Sequence, residues 1–554
     1  VETETSLAQI NYPIGTDGFN YSKNLNKLSP SCMVNPSYNF NLLPNSIRAR
    51  GGTKILYNLN EKSPITSLTQ IYNKYDNESI ISTTQSGKIF KNDFLLKKLP
   101  NVIYDATYLT WNGTLLINNS FNIPQGWDGI SETTEDFPES NMADDWILDQ
   151  RYPTVMVSYG KGNSVRAWAI GDDRRKNTLY FSSSDNGLDT YPNFKNSDSG
   201  FFYISTPNEE PLTAITSFGD RLIVFSKTKA YIIDDANIDS TLWGYTEAQW
   251  KGGANSNHVV MQTENDIFSL MPDGTIYSIT AVMEYGDYKI SSITESAQIN
   301  DYMYDKINKS YMNNMHAVFD PSLRVIKYFC TSSNVSENNI ALCYFIDKTP
   351  STGWSIHRNS TFKSGYNAKS SCIYKDSITQ HTKTITGDYN GRIWELETNI
   401  VVDDNNPFEM VLTTPLINLN DIRNTKRFKR GFLEILTSNV INVDIHISTN
   451  DFIKSYFYSS ILFKGSRFGS AKWNVDKFTV VPIYKLKYPI NKIGIGLQQS
   501  FSFYSNENIL CGKFNQAKWN EGYIFGVGIL AGEPFYLMSN MLDVLTISNR
   551  ISME

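Results

Sequence analysis

The sequence predicts an all-β protein: an irregular six- or seven-bladed β-propeller plus an antiparallel β-sandwich-like platform domain. Three observations lead there. Among the 554 residues only 19% are charged and 13% are aromatic, with 33 tyrosines. Asn, Ser and Thr fill much of the remainder, and such residues suit turns and half-buried pleated surfaces better than helices. A strand–turn–strand unit recurs along most of the chain. Its turns carry Asn-Gly and Asp-Gly, the strongest short hairpin signals, because both turn residues need positive φ.

The units follow in order. Ser79-Ile80-Ile81-Ser82-Thr83 meets Lys88-Ile89-Phe90 across Ser86-Gly87. Thr107-Tyr108-Leu109-Thr110 meets Thr114-Leu115-Leu116-Ile117 across Asn112-Gly113. A weaker unit holds Thr178-Leu179-Tyr180-Phe181-Ser182. Arg221-Leu222-Ile223-Val224-Phe225 meets Ala230-Tyr231-Ile232-Ile233, and Asp266-Ile267-Phe268-Ser269-Leu270 meets Thr275-Ile276-Tyr277-Ser278-Ile279 across Asp273-Gly274. A second weaker unit pairs 325–330 with 340–345. Thr382-Lys383-Thr384-Ile385-Thr386 meets Arg392-Ile393-Trp394-Glu395-Leu396 across Asn390-Gly391. Spacings scatter around the period of about 40–50 residues typical of propeller blades.

This divides the chain into an N-terminal arm at 1–54 that joins the platform, a propeller at 55–400, and a C-terminal sandwich-like platform domain at 401–554. Within the propeller, 121–150 is acidic and turn-rich and reads as a surface insertion between blades. It contains Trp127 and Trp146, which are candidate docking residues if the loop stands free; the alternative is a loop folded back on its own blade. Beyond residue 403 the pattern changes to period-two alternation, as in Val440-Ile441-Asn442-Val443-Asp444-Ile445-His446-Ile447. The Gly-rich stretches at 493–499 and 523–530 lack the spacing and following helix of a dinucleotide site and read as strands.

Chemistry is hard to find. GxSxG, HExxH and GxxxxGK[ST] are absent. The five histidines, His258, His316, His357, His381 and His446, are scattered, and each reads as a packed or surface residue. The adjacent pairs Asp144/Asp145, Asp172/Asp173 and Asp403/Asp404 suit solvated turns better than the two carboxylates of a glycosidase, which must face each other across a cleft. Cys32, Cys330, Cys343, Cys372 and Cys511 show no metal-ligand spacing and read as reduced thiols, although Cys330 and Cys343 could meet across a hairpin. No enzyme, cofactor or metal is expected. The net charge of −6 argues against a general nucleic-acid binder. The start Val1-Glu2-Thr3-Glu4 does not read as a signal peptide, and no apolar run reaches bilayer-spanning length.

A set of motifs in order resembles one known family. It comprises Leu43-Pro44-Asn45-Ser46-Ile47-Arg48-Ala49-Arg50-Gly51-Gly52, then Asn177-Thr178-Leu179-Tyr180-Phe181-Ser182 with Asp189 and Tyr191, and Gly353-Trp354-Ser355. Thr386-Gly387-Asp388-Tyr389-Asn390-Gly391-Arg392-Ile393-Trp394, Asp403-Asp404 and Lys426-Arg427-Phe428-Lys429-Arg430 complete it. In this order the chain resembles the β-propeller tail nozzle, or tail hub, proteins of short-tailed phages. The resemblance implies a structural virion protein located in the tail. It implies a homo-oligomeric ring, a hexamer by preference, below the portal and adaptor, extending the channel for double-stranded DNA and anchoring fibres or spikes. Arg427 and Arg430 are then candidate interface residues, alongside Trp127 and Trp146. The alternative is a secreted carbohydrate-binding propeller, a lectin or adhesin, whose aromatics would stack on sugars.

Overall fold

The computed structural model describes residues 5–415 apart from 23, 73–77, 161–163, 186, 220, 238, 251, 283–286, 360–363, 400–401, 405 and 407. Farther on it describes the backbone of the strands Lys426–Thr437, Asn442–Thr449, Phe452–Ser459, Tyr484–Gly496, Gln499–Asn506 and Tyr536–Ile547. Side chains are described within residues 13–415.

Seven four-stranded antiparallel sheets follow one another along the chain, which makes a seven-bladed β-propeller. Blades 1 to 6 occupy residues 65–98, 107–136, 155–203, 212–247, 260–292 and 316–358. Blade 7 is composite. Its strands Ala368–Lys375, Thr382–Asp388 and Arg392–Thr398 are completed by Gly52–Asn58, drawn from before blade 1. The first strand of each blade packs against the first strand of its neighbour, so these strands surround the axis. Between blades 1 and 2 the contact includes a 2.6 Å hydrogen bond joining Ser67 Oγ and the Tyr108 hydroxyl.

The middle strands of the blades are buried for a structural reason. A blade is covered on both faces by its neighbours, so both side-chain sets of an inner strand are buried. Every residue of Val325–Cys330 is buried, as is every residue of Ile340–Phe345. The register sets Cys330 opposite Ile340 and Cys343 opposite Lys327; both thiols are free.

The segment 121–150 is not an insertion. Gln125–Trp127 and Glu135–Asp136 are the outer strands of blade 2, and a short helix, Asp144–Asp149, leads on to blade 3. The acidic residues fall at exposed positions, which disguises two short strands as a loop.

The chain ends also pair with each other. Val34–Tyr38 pairs with Glu409–Thr413, which pairs in turn with Gln499–Asn506. Thr5–Tyr12 and Ile47–Ala49 both pair with Tyr536–Ile547, which lies beside Lys426–Thr437. The Gly-rich run at 493–496 ends a described strand; the one at 523–530 lies outside the described residues.

Two turn glycines separate backbone strain from crowding. Gly274 has φ +89° and room for a Cβ, whereas Gly391 has φ +73° and a Cβ there would collide with the Glu61 carbonyl oxygen. Gly274→Ala should therefore cost about 1 kcal/mol from its backbone alone, and Gly391→Ala about 2–4 kcal/mol, with overpacking added. Urea denaturation checks the order. Equal losses would contradict the turn geometry.

Candidate functional site

Two clusters of polar side chains stand out from the apolar blades, one buried and one partly open. The first joins the N-terminal arm to the propeller. Arg50 ends the arm immediately before the strand that closes blade 7, and its side chain is fully buried. Nη2 donates to Asp403 Oδ2 at 2.7 Å and Nη1 to Asp403 Oδ1 at 3.0 Å, a bidentate pair. Nε donates to Asn39 Oδ1 at 3.0 Å, and the guanidinium lies 3.7 Å from the Phe408 ring centroid and 4.4 Å from that of Tyr366. Thr53 Oγ1 donates to the same carboxylate at 3.0 Å.

Asn39 ties this pair to the outer edge of blade 6. Its N–H donates to the Ile356 carbonyl at 2.7 Å, and its side-chain oxygen also accepts from Arg358 N at 2.9 Å. Ser355 Oγ donates to the Phe40 carbonyl at 2.5 Å. The arm thus covers an edge that would otherwise stand open.

A second buried pair lies alongside. Lys327 Nζ is 3.1 Å from Glu397, which also accepts from Asn41 Nδ2 and Gly51 N at 2.8 Å and from the Tyr366 hydroxyl at 3.0 Å. Burial pushes the Glu397 carboxyl up, but the Lys327 ammonium and the Gly51 and Asn41 donors outweigh it and hold the group far below the usual carboxylate range. His357 is pulled down to about 3, chiefly by burial, so it is neutral. Its Nε2 lies 3.0 Å from the Phe40 carbonyl and therefore carries the proton.

The second cluster lies on the propeller axis. His258 Nε2 meets Asp105 Oδ1 at 2.5 Å. Asp105 lies two residues before the first strand of blade 2, and His258 two residues before that of blade 5. Blades three steps apart in a ring of seven are opposite one another, so this contact can be made only across the axis. Lys369, near the start of the first strand of blade 7, and His316, at the start of that of blade 6, complete the group. First strands run in the same direction around a propeller, so all four side chains lie at one end of the central channel. Burial draws the His258 imidazole down, but Asp105 outweighs it and the net shift is upward. The Lys369 ammonium is drawn down by burial, with Asp105 opposing. His316 is drawn down to about 3, mainly by burial and then by the charges of His258 and Lys369. Among the described residues no group of three or more His, Cys, Asp or Glu is arranged to hold a metal ion.

The residues singled out from the sequence fall elsewhere. Trp127 and Trp146 are buried, not displayed for docking. Trp127 donates through Nε1 to the Ser131 carbonyl at 2.8 Å, and Trp146 packs edge-on against Tyr180 and beside Phe194 in the core between blades 2 and 3. Arg427 and Arg430 are on the strand Lys426–Thr437, with side chains outside the described residues. Asp388, whose surrounding sequence has calcium-loop residue types, instead accepts from Asn390 N, Arg392 N and Nε, and Trp394 Nε1, which holds its own turn. Neither cluster was predicted as a site. An Arg or His that meets its partner several hundred residues away, or across the axis, carries no local signal.

No protein-family profile matches the chain, and no curated protein matches it in sequence. Solved structures similar to it in part include the β-propeller domain of Cps50 (Swd1) from Myceliophteria thermophila, at 11% identity and a TM-score of 0.38, covering 62% of this chain and 99% of that one. Another is U3-55K, at 7% identity and a TM-score of 0.37, covering 63% of this chain and 98% of that one. A third is the extracellular domain of a putative one-component system, BT4673, from B. thetaiotaomicron, at 12% identity and a TM-score of 0.35, covering 68% of this chain and 43% of that one. None of the three is described as a phage tail protein. The blade count rests on the strand pairings.

Two predictions come from the clusters. Arg50→Met alone leaves a buried carboxylate uncompensated and should cost about 3–5 kcal/mol, whereas Arg50→Met with Asp403→Leu should cost less than that. A double-mutant cycle by urea denaturation reads the coupling; simple additivity would contradict the pair. The second concerns pH. His316 and His357 have folded values near 3, so the unfolded chain takes up protons first and stability should fall as pH drops below about 6.5. Each contributes up to about 1.4 kcal/mol per pH unit. Glu397 adds stability that is present above its unfolded value and lost as pH falls through its depressed folded value. His258 acts oppositely, its contribution being lost as pH rises through its raised folded value. Melting temperatures from pH 7 to 5 should decline; a steady rise would contradict the neutral assignments.

Proposed function

We propose that this protein is a ring-forming structural subunit of a short-tailed phage tail, a nozzle or hub that extends the DNA-ejection channel and anchors fibres or spikes. The observation that carries the reading is the pairing of the two chain ends beside the propeller. Paired ends are what a sandwich-like platform built from arm and C-terminal region requires. The buried Arg50–Asp403 and Lys327–Glu397 pairs make the joint stiff, which suits a subunit that must hold one geometry in a ring.

The cross-axis contact of His258 and Asp105 closes the propeller's own channel at one end. DNA would therefore run between subunits, not through a blade ring. With a net charge of −6 per copy, a lumen of acidic and neutral polar residues would repel DNA weakly and let it slide, while a basic one would hold it.

One observation favours the carbohydrate-binding alternative. Phe201 and Tyr203 lie two apart on the outer strand of blade 3 and are 62% and 61% exposed. Such rings suit stacking on sugars.

Mass photometry and negative-stain imaging of the purified protein, alone and with tail partners, separate the readings. A closed ring is expected. A monomer under both conditions that binds glycans through Phe201 and Tyr203 would replace the tail reading with the lectin. Charge reversal at Arg427 and Arg430 should weaken ring assembly while leaving the far-UV circular dichroism unchanged; undiminished rings would exclude those residues from the interface.

A further inference from the structure

The axial cluster holds more hydrogen-bond donors than the protein satisfies. His316 is 4% exposed, and neither of its ring nitrogens makes a well-formed hydrogen bond, the backbone of Asn314 being the polar group beside it. Its ring is held flat against Phe329, with centroids 4.8 Å apart and planes 13° apart. A neutral imidazole has one donor and one acceptor, and leaving both unmet in a buried place is costly. Lys369 Nζ donates to Asn314 Oδ1 at 2.8 Å, which uses one of its three donors. His258 spends Nε2 on Asp105 and keeps Nδ1. The nearby carboxylate is already engaged by that imidazole, so a second negative group would complete the charge balance of His258 and Lys369.

The cluster is also reachable. The His258 and Asp105 side chains are 32% and 44% exposed, although protein surrounds them on every side of the channel. The group therefore grades from a wet mouth at Asp105 and His258 to a dry floor at His316. His316 and Lys369 stand on the first strands of blades 6 and 7, so the geometry of that part is set before any ligand arrives.

From this geometry we propose that the channel end is a binding site for a small oxyanion, a carboxylate or phosphate group, held by Lys369 and His316 with His258 at the mouth. The proposal does not depend on the tail reading, since a ring subunit and a lectin could equally carry it. The chemistry is that of charge-assisted hydrogen bonds in a partly desolvated place, where each is stronger than in water.

The test uses the full chain in an amine buffer with chloride at matched ionic strength. Inorganic phosphate and acetate are titrated separately by calorimetry, at pH 6.5. Saturable one-to-one binding of either is expected. Lys369→Gln and His316→Phe should each weaken it at least about tenfold, the loss expected for one charge-assisted bond. Circular dichroism confirms that each variant is folded, and Lys97→Gln, which alters a lysine paired with Asp136 on the outer strands of blades 1 and 2, should leave the affinity unchanged. If either substitution unfolds the chain, His258→Asn gives the same reading from the mouth of the site. Absence of saturable binding by the unaltered protein, or equal binding by the folded variants, would overturn the proposal.

Discussion

Closure of the blade ring is the constraint on which the rest of the structure depends. Blade 7 takes its outer strand, Gly52–Asn58, from the start of the propeller and its other three from the end, so Arg392 pairs with Asn58 and Ile393 with Tyr57. Until this non-local ladder forms, each blade face waits for a neighbour and the end blades expose theirs. Closing so long a loop costs entropy that grows only slowly with length, and the ladder offsets it with main-chain hydrogen bonds and two blade-to-blade interfaces. Residues on either side of that strand therefore fix how everything outside the propeller is attached.

Arg50 and Asp403 occupy those flanks. One lies just before the closing strand and the other just after the last strand of the ring, where Asp404 N donates to the Thr53 carbonyl at 2.7 Å. A buried ion pair is weak evidence for stability, because desolvation can cancel its attraction. Its value here lies in direction: a bidentate guanidinium accepts one carboxylate orientation, and Asn39 adds a third fixed bond. An apolar joint of equal strength would tolerate sliding. Lys327 and Glu397 extend the same logic inward, since Glu397 accepts from the backbone of Gly51 next to Arg50.

The propeller treats its outer edges unequally. That of blade 6 is covered by the arm through Asn39 and Phe40, while that of blade 3 leaves Phe201 and Tyr203 in solvent. Covered and open edges on one body suit a subunit with a fixed internal attachment and a separate contact surface. The axis is a third environment, neither core nor surface. There, titratable groups from opposite blades meet, and His258 and Asp105 bond to each other while His316 makes no well-formed hydrogen bond.

The sequence by itself determined the all-β class and the recurring hairpins. Hairpins such as 107–117, 266–279 and 382–396 are legible because β-branched and aromatic runs and Asn-Gly or Asp-Gly turns act within a few residues of one another. Segment 121–150 reads as a loop in the sequence because the outer strands of blade 2 are only three and two residues long and acidic residues crowd around them, leaving too few apolar positions to show a period; Trp127 and Trp146 look like loop residues although they fill the core. Only the tertiary structure decided the blade count, the borrowing of Gly52–Asn58, the union of Arg50 with Asp403 and the meeting of His258 with Asp105. Those depend on which strands end up adjacent once the ring is shut, and a pairing across 353 residues or across the axis leaves no mark on either residue's neighbours in the chain.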